Sequence, residues 1–448
     1  MRSFRNQVAI TVISNFGLSA LGLVTGTLLA RSLGPAGRGE LATIQVWGAF
    51  GVTLALLGLP DALAYRVGRE PDRAAESWLT AGVLAAILGT PVLLVAYWVT
   101  NFVLTASIGS VGGLLAAYML GFFVLNVVGS LPLSVLQGLR DMTGWNVLRG
   151  LPALGWMSVT VYGAVTGSVT VPFLVIGFLT SYGCAGLVSV MLVWRRAKGS
   201  FRFAPELVRE MLRYGLPVAV SAVPYWLVRG GRLAQLYVST VLDVTSLGYL
   251  AVAVTVAEAN LVVPQGVASV VFPWVLGDLR HDGIERAAGQ FARIIRLTVL
   301  VMACSSCLLL LTARWVIPLW FGEAFGPAVS TVLLLIGWSA IEGVRTVVGA
   351  ALRGLGRTGT VLLSDVVSAV GTAFFLLASV PNLGLVGVGL GTMLGACAGT
   401  YVAWRGVRTF VRVPANLVPG PADVGFAVAS LGGFVRSGWR FVVGRMEP

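Results

Sequence analysis

Twelve runs of about 20 mostly apolar residues divide this chain, and they constrain its fold more than any other feature. A helix needs about 20 such residues to cross the hydrocarbon core of a bilayer. Composition agrees, because 57% of the 448 residues are hydrophobic and only 11% are charged, whereas soluble domains carry about 25% charged residues. The chain is therefore predicted to be an all-α integral membrane protein. The predicted spans are 7–30, 41–59, 78–99, 113–137, 147–165, 172–194, 214–239, 247–272, 295–312, 328–349, 360–380 and 383–404.

The basic residues are distributed unevenly between the two sides of the predicted membrane. Of the 31 basic residues, 25 fall at the chain ends or in alternate loops, and the loops of the other side hold only Arg31, Arg38 and Arg314. Cytoplasmic loops carry an excess of Lys and Arg. We therefore predict a multi-pass protein of the cytoplasmic (inner) cell membrane with both termini in the cytoplasm. The basic tail contains an apolar stretch, 424–443, which fits either an interfacial helix or a thirteenth span.

Two weak internal matches indicate that the chain is duplicated. LQGLRDMTGWNVL (136–148) resembles LRGLGRTGTVLL (352–363) at an offset of about 216, and GELA (39–42) resembles GYLA (248–251) at an offset of 209. Each match joins one span junction to the equivalent junction six spans later, so the two halves are predicted to be parallel six-helix repeats that enclose a cleft. The predicted units are a first lobe (1–194), a basic cytoplasmic linker (195–213), a second lobe (214–404) and a basic cytoplasmic or interfacial tail (405–448).

Charged residues inside the predicted spans are the candidate functional residues, because each needs a partner or a water-filled cavity. Arg229 and Arg232 are three residues apart, so a continuous helix would place them on one face, where they cannot neutralise each other. We predict that they line the cleft and bind phosphate oxygens, which guanidinium groups match well. Glu258 is either a coupling group for a proton or a sodium ion or a salt-bridge partner of Arg229 and Arg232. Glu342 and Arg345 are spaced for a local ion pair.

The sequence offers little material for catalysis. It has 18 acidic residues and a single histidine, His281, and it contains no phosphate-binding loop motif. We expect a membrane transporter that is not an enzyme, with no cofactor, no metal site and no nucleic-acid partner. Glycines at every fourth position of the last span, 387 to 399, indicate a helix-packing face rather than a nucleotide site.

ARSLGPAGRGELA (30–42) and LQGLRDMTGWNVL (136–148), within a duplicated twelve-span plan, resemble the polysaccharide transporter family of Wzx-type flippases. This family belongs to the multidrug/oligosaccharidyl-lipid/polysaccharide exporter (MOP) superfamily. The resemblance covers about residues 1–405 and implies a MATE-like two-lobe fold in which spans 1, 2, 7 and 8 line a central cleft. It also implies that a polyprenyl pyrophosphate-linked oligosaccharide moves from the inner to the outer leaflet for capsule, exopolysaccharide or O-antigen assembly.

The implied partners are the lipid-linked glycan, membrane lipid and polysaccharide polymerase or assembly proteins. Many relatives carry an Asp-Arg pair where this chain has Gly231 and Arg232. Glu258 and Glu342 are similar in placement to the cation site in the second lobe of drug-exporting relatives.

Three other functions compete with this interpretation. A proton- or sodium-coupled multidrug or small-solute antiporter could use the same fold, although two unpaired arginines favour an anionic cargo. A lipid II flippase usually has fourteen spans. A membrane glycosyltransferase, polymerase or ligase generally needs acidic residues or histidine at the outer surface, where the predicted loops hold only Glu40, Asp243 and Glu323.

Overall fold

A computed structural model describes residues 2–104, 112–268 and 284–410, with side chains described from residue 14 onward and from residue 292 in the last range. All regular structure in these ranges is helical, as predicted. Seven of the described helices, or eight if the bent pair α10 and α11 counts as one span, are long and apolar enough to cross a membrane. His281 and the predicted tail segment 424–443 lie outside the described ranges.

The helices of the first half begin and end as follows: α1 Arg2–Ala55, α2 Leu59–Arg69, α3 Ala74–Leu84, α4 Thr90–Val103, α5 Gly112–Gly138, α6 Met142–Thr166 and α7 Val171–Trp194. A short π-helical stretch, Ala85–Gly89, joins α3 to α4. The helices of the second half are α8 Pro205–Val228, α9 Arg232–Val241, α10 Val244–Asn260, α11 Val262–Ala268, α12 Ile284–Phe321, α13 Val329–Gly354 and α14 Thr358–Phe410.

Several predicted boundaries were wrong. The second span does not end at residue 59, because the chain turns at Leu57 and Gly58, both with positive φ, and continues as α2 to Arg69. The predicted linker is not entirely a loop, since α8 begins inside it at Pro205, whose fixed φ suits the first turn of a helix. The predicted span 295–312 belongs to a helix of 38 residues. The limits of the two lobes themselves remain a prediction.

Helix α14 contains the last two predicted spans, folded against each other. Gly384 has a φ of 52° and breaks the helix, and small residues on the two arms then meet. A Cβ on Gly395 would lie 2.0 Å from Thr372 Oγ1, and a Cβ on Gly399 would lie 2.6 Å from Ser368 Cβ. The glycines at every fourth position therefore form a packing face, which confirms that prediction.

The two matched sequence segments have the same backbone structure. At the end of α5, the amides of Leu139, Arg140 and Asp141 donate hydrogen bonds to the carbonyls of residues 135, 137 and 136. At the end of α13, three amides repeat this pattern with every donor and acceptor shifted by 216 residues. The residue after each helix adopts positive φ, 60° at Arg140 and 73° at Gly356. Both ends are thus the left-handed helix termination that usually requires glycine.

Ion pairs fasten the predicted linker and the start of α8 to the first lobe. Arg66 is buried and contacts Glu70 and Glu210, with 2.9 Å between its Nη1 and Glu210 Oε2. The buried carboxylate of Glu76 accepts hydrogen bonds from Arg73 at 2.6 Å and from Arg202 at 2.8 Å. We call this end of the bundle, which also carries Arg149 and Arg353, the arginine-rich end.

Candidate functional site: two cavities along one helix

Helix α10 crosses the second part of α1 at a backbone contact that we call the seal, formed by residues 35–39 and 244–248. A Cβ on Gly39 would lie 1.8 Å from the carbonyl oxygen of Val244, and a Cβ on Gly248 would lie 1.9 Å from that of Pro35. Both positions therefore require glycine. The two contacts are related by the predicted offset of 209 residues, so each half of the chain contributes the same contact.

Polar side chains hold the two halves together around the seal. Arg31 donates hydrogen bonds to the carbonyl oxygens of Leu319 and Trp320 near the end of α12, the latter at 2.7 Å. Trp47 Nε1 donates a buried hydrogen bond of 2.8 Å to Ser239 Oγ. The cleft between the halves is consequently closed at this end, which we call the sealed end.

At the arginine-rich end, a cavity of about 450 Å³, the wide cavity, lies between the two halves. Its first wall carries Asn15 and Arg149, from α1 and α6, and its second wall carries Arg229, Gln265 and Arg353, together with the triad described below. None of the three arginines named here has a carboxylate partner among the described residues. A binding site for anions can be built from such groups.

The three arginines are positioned in different ways. Arg149 donates a hydrogen bond of 2.6 Å to Asn15 Oδ1, and its guanidinium lies 4.3 Å from the centre of the Trp145 ring. Arg229 contacts Tyr225 through the phenol oxygen and the ring. Arg353 is half-buried and contacts no hydrogen-bond acceptor in the described part of the chain. Two of the three are therefore held in place by neutral groups, which leave their charge available.

Glu342, Arg345 and Asp365 form a buried ionic triad in the wall of the wide cavity. Arg345 Nε and Nη2 donate to the two carboxylate oxygens of Glu342 at 2.8 and 2.7 Å, and Nη1 donates to Asp365. Because both carboxylates are committed to one guanidinium, the triad presents little free positive charge to the cavity. The structure thus contains the local pair expected from the sequence and adds Asp365 to it.

The prediction that Arg229 and Arg232 share one helical face is wrong. Gly230 and Gly231 both adopt left-handed backbone, with φ of 66° and 58°, and interrupt the helix between the two arginines. Arg229 therefore lines the wide cavity, whereas Arg232 lines a second cavity. Whether either arginine binds the substrate remains a prediction.

The second cavity, about 220 Å³ in volume, is the narrow cavity. It lies between α1 and the α9–α10 pair and contains Arg38, Arg232 and Glu258. Glu258 is surrounded by protein, yet its carboxylate is exposed to the cavity. It interacts electrostatically with Arg232 and Arg229 without an ion pair or hydrogen bond to either in the described structure. A Cβ on Gly230 would lie 2.5 Å from Glu258 Oε1, so this glycine makes room for the carboxylate.

Sequence reasoning missed three cavity residues, Arg38, Arg149 and Arg353, because it assigned them to loops. Arg38 belongs to α1, Arg149 lies inside α6 and Arg353 lies in the last turn of α13. Long arginine side chains reach several ångströms along a helix from their own backbone position. The signal available in the sequence was their spacing of only a few residues from an apolar run.

The fold is that of the MOP superfamily transporters. It matches a structure described as the inward-facing conformation of a multidrug resistance MATE family transporter of that superfamily, with a TM-score of 0.71 and 15% identity over 89% of this chain and 98% of that chain. It matches the lipid II flippase MurJ in an inward closed conformation with a TM-score of 0.73 and 14% identity over 90% of this chain and 88% of that chain. An outward-facing MATE structure gives a TM-score of 0.59 and 17% identity over 89% and 95% of the two chains. The predicted two-lobe fold is confirmed.

A family model described as "Polysaccharide biosynthesis protein" matches residues 28–330. The chain belongs to this polysaccharide biosynthesis protein family and is a multi-pass membrane protein with a transporter fold. No curated protein matches it in sequence.

Proposed function

We propose that this protein is a flippase that moves a polyprenyl pyrophosphate-linked oligosaccharide from the inner to the outer leaflet by alternating access. The product would serve the assembly of a cell-surface polysaccharide such as capsule, exopolysaccharide or O-antigen. The observation that carries the proposal is the wide cavity, where Arg149, Arg229 and Arg353 surround a space between the two halves without a carboxylate partner.

The chemistry of this cavity suits a diphosphate better than a cation. A guanidinium group stays charged at every physiological pH and presents a planar donor fork to phosphate oxygens. Three such groups raise the local concentration of anions and repel cationic drugs. The family supports the same class of cargo, since its printed function is polysaccharide biosynthesis. The structurally similar MurJ is described as a lipid II flippase, so this fold accommodates lipid-linked cargo in at least one other protein.

The arrangement of the cleft corresponds to one end of an alternating-access cycle. The wide cavity is accessible from the arginine-rich end and the seal closes the opposite end. The greater similarity to the inward-facing MATE structure than to the outward-facing one supports this state. If the arginine-rich end is cytoplasmic, as the positive-inside rule predicts, the cavity would accept its cargo where lipid-linked glycans are made.

The test is leaflet exchange of a fluorescent polyprenyl-pyrophosphate oligosaccharide in proteoliposomes. We expect exchange by the native chain and a reduction of roughly tenfold for Arg149→Gln, Arg229→Gln or Arg353→Gln, as for the loss of one charge-assisted hydrogen-bonding partner. Arg314→Gln is the matched control, because it removes an exposed arginine from the sealed end, where Arg314 lies over Trp315 outside both cavities. Exchange unaffected by all three substitutions would refute the proposed role of the wide cavity.

The antiporter alternative rests on the MATE structures with the same fold. It predicts a different result in the same vesicles: the native chain would exchange a cationic dye for protons or sodium and would leave the lipid-linked glycan in place. In that case Glu258 and Glu342 would be the residues to substitute, and Glu258→Gln should abolish the dependence on the driving ion.

A further inference from the structure

The seal and the two cavities follow one another along α10. Residues 244–248 form the seal, residues 251–258 line the narrow cavity, and Leu261, Gln265 and Ala268 of the following segment line the wide cavity. A group that leaves the wide cavity toward the sealed end must therefore pass through the narrow cavity.

The narrow cavity contains a guanidinium group with unused hydrogen-bonding capacity. Nε and Nη1 of Arg38 are shielded from solvent and have no hydrogen-bond partner. A buried donor without a partner costs about 1–3 kcal/mol, so most such donors in proteins are satisfied by protein or by ligand. No acidic side chain is paired with Arg38 in the described structure. The cavity thus contains a buried cation whose partner must come from outside the chain.

The second cation of the cavity, Arg232, has a similar position. Its guanidinium lies 4.7 Å from the centre of the Trp226 ring, a cation–π contact that orients the group without neutralising it. Glu258 supplies one negative charge near it. Two guanidinium groups and one carboxylate leave a single positive charge in the cavity, which matches an anion that carries one negative charge.

We propose that the narrow cavity is a second phosphate-binding site, in which Arg38 and Arg232 bind a singly charged phosphoryl group such as one phosphate of a diphosphate diester. This inference rests on the proposed function and assigns it a second site on the path to the sealed end. A volume of about 220 Å³ has room for roughly seven water-sized groups, enough for a phosphodiester. Arg38 acts here as a binding residue, together with Arg232, after the wide cavity has admitted the cargo.

The experiment measures binding next to Trp226 without any transport. The full-length protein is labelled with 5-fluorotryptophan, and the Trp226 resonance is assigned in the ¹⁹F spectrum by its loss in Trp226→Phe. The probe is dimethyl phosphate, which carries one negative charge across the usable pH range. We expect a saturable shift of the Trp226 resonance and an affinity about tenfold lower in Arg38→Gln, equivalent to the loss of one charge-assisted contact.

Matched variants locate the effect. Arg353→Gln removes a cation from the wide cavity, and Arg314→Gln removes one outside both cavities, so each should leave the affinity at Trp226 within about twofold. Arg38→Lys restores a positive charge and should recover most of the binding, whereas Arg232→Gln should weaken it as Arg38→Gln does. Thermal melting of each variant verifies that it is folded.

Each outcome decides one question. A native protein without a shift, or an Arg38→Gln variant with native affinity, overturns the second site. A shift that Arg353→Gln abolishes and Arg38→Gln does not would place the anion in the wide cavity and also overturn it. If the Trp226 shift depends on Arg38 while the vesicles show no glycan exchange, the phosphate site stands and the proposed flippase function fails.

Discussion

The two ends of the central cleft are built from opposite materials. At the sealed end, glycines bring two backbones into contact, and the only charged contribution is Arg31 on two carbonyl oxygens. At the arginine-rich end, long cationic side chains keep the two halves apart around a cavity of about 450 Å³. The sealed end can separate without exposing an unpaired carboxylate, and the arginine-rich end can close only if its cations acquire a counter-charge. This contrast suggests that an anionic cargo promotes closure of the open end.

The largest effect is expected at the seal. In Gly39→Leu the new side chain would overlap the Val244 carbonyl, so the sealed state cannot form and leaflet exchange should fall by roughly a hundredfold. The direct measurement is the labelling rate, with a membrane-impermeant maleimide, of a cysteine placed at Gln45 in the narrow cavity after the four native cysteines are replaced. That rate should rise when the reagent is added from the sealed end.

Gly22→Leu is the control for this change. A Cβ on Gly22 meets no atom within 4 Å, so the same substitution adds volume without a clash. Equal exchange and labelling in the two variants would show that the glycine contact does not close the cleft.

The second effect concerns the wall of the open end. Arg345→Met leaves Glu342 and Asp365 buried without their cation and should destabilise the protein by about 3–5 kcal/mol. The midpoint of unfolding in a denaturing detergent measures this loss. Arg353→Met, eight residues later on the same helix, removes an arginine without an ion pair and should leave the midpoint nearly unchanged.

A smaller effect is expected for the polar contact at the sealed end. Arg31→Gln removes hydrogen bonds to the carbonyls of Leu319 and Trp320, but the site is exposed, so the sealed state should lose about 1 kcal/mol. The labelling rate at position 45 should then rise by roughly fivefold. The same rate in Arg31→Gln and Arg314→Gln would mean that Arg31 contributes nothing to closure.

The smallest effect compares the two halves at the arginine-rich end. Arg140 adopts the left-handed backbone that its counterpart Gly356 adopts without strain. Arg140→Gly should therefore stabilise the protein by about 1 kcal/mol, and Gly356→Ala should destabilise it by a similar amount, since nothing lies within 4 Å of its Cβ. Shifts of the unfolding midpoint in the same direction would contradict this assignment.

The sequence predicted the features that depend on local spacing. Apolar runs gave the helices, the glycines of α14 gave a packing face, and the three-residue spacing of Glu342 and Arg345 fits the pair that the structure contains. The structure departs from the sequence interpretation where the backbone leaves the regular helix. Gly230 and Gly231 separate Arg229 from Arg232, and a helical wheel assumes that such a break is absent.

The cavities themselves depend on contacts between distant parts of the chain. Arg38 meets the cavity of Arg232, and Arg149 faces Arg229, across almost the whole length of one half. Hydropathy records how deep a residue lies in the membrane and carries no information on which helix it faces. For this reason the loop assignments of Arg38, Arg149 and Arg353 concealed their roles in lining the cavities.

The seal has a consequence for the origin of the chain. Pro35 contacts Gly248 and Val244 contacts Gly39, and 209 residues separate the members of each equivalent pair, so the interface is isologous: one surface meets a copy of itself across a two-fold axis. A six-span chain with this surface could have assembled as a symmetric homodimer before its two copies were joined. Fusion then allowed the halves to diverge, and the second half acquired Arg232, Glu258 and the buried triad without altering the surface on which the pair was built.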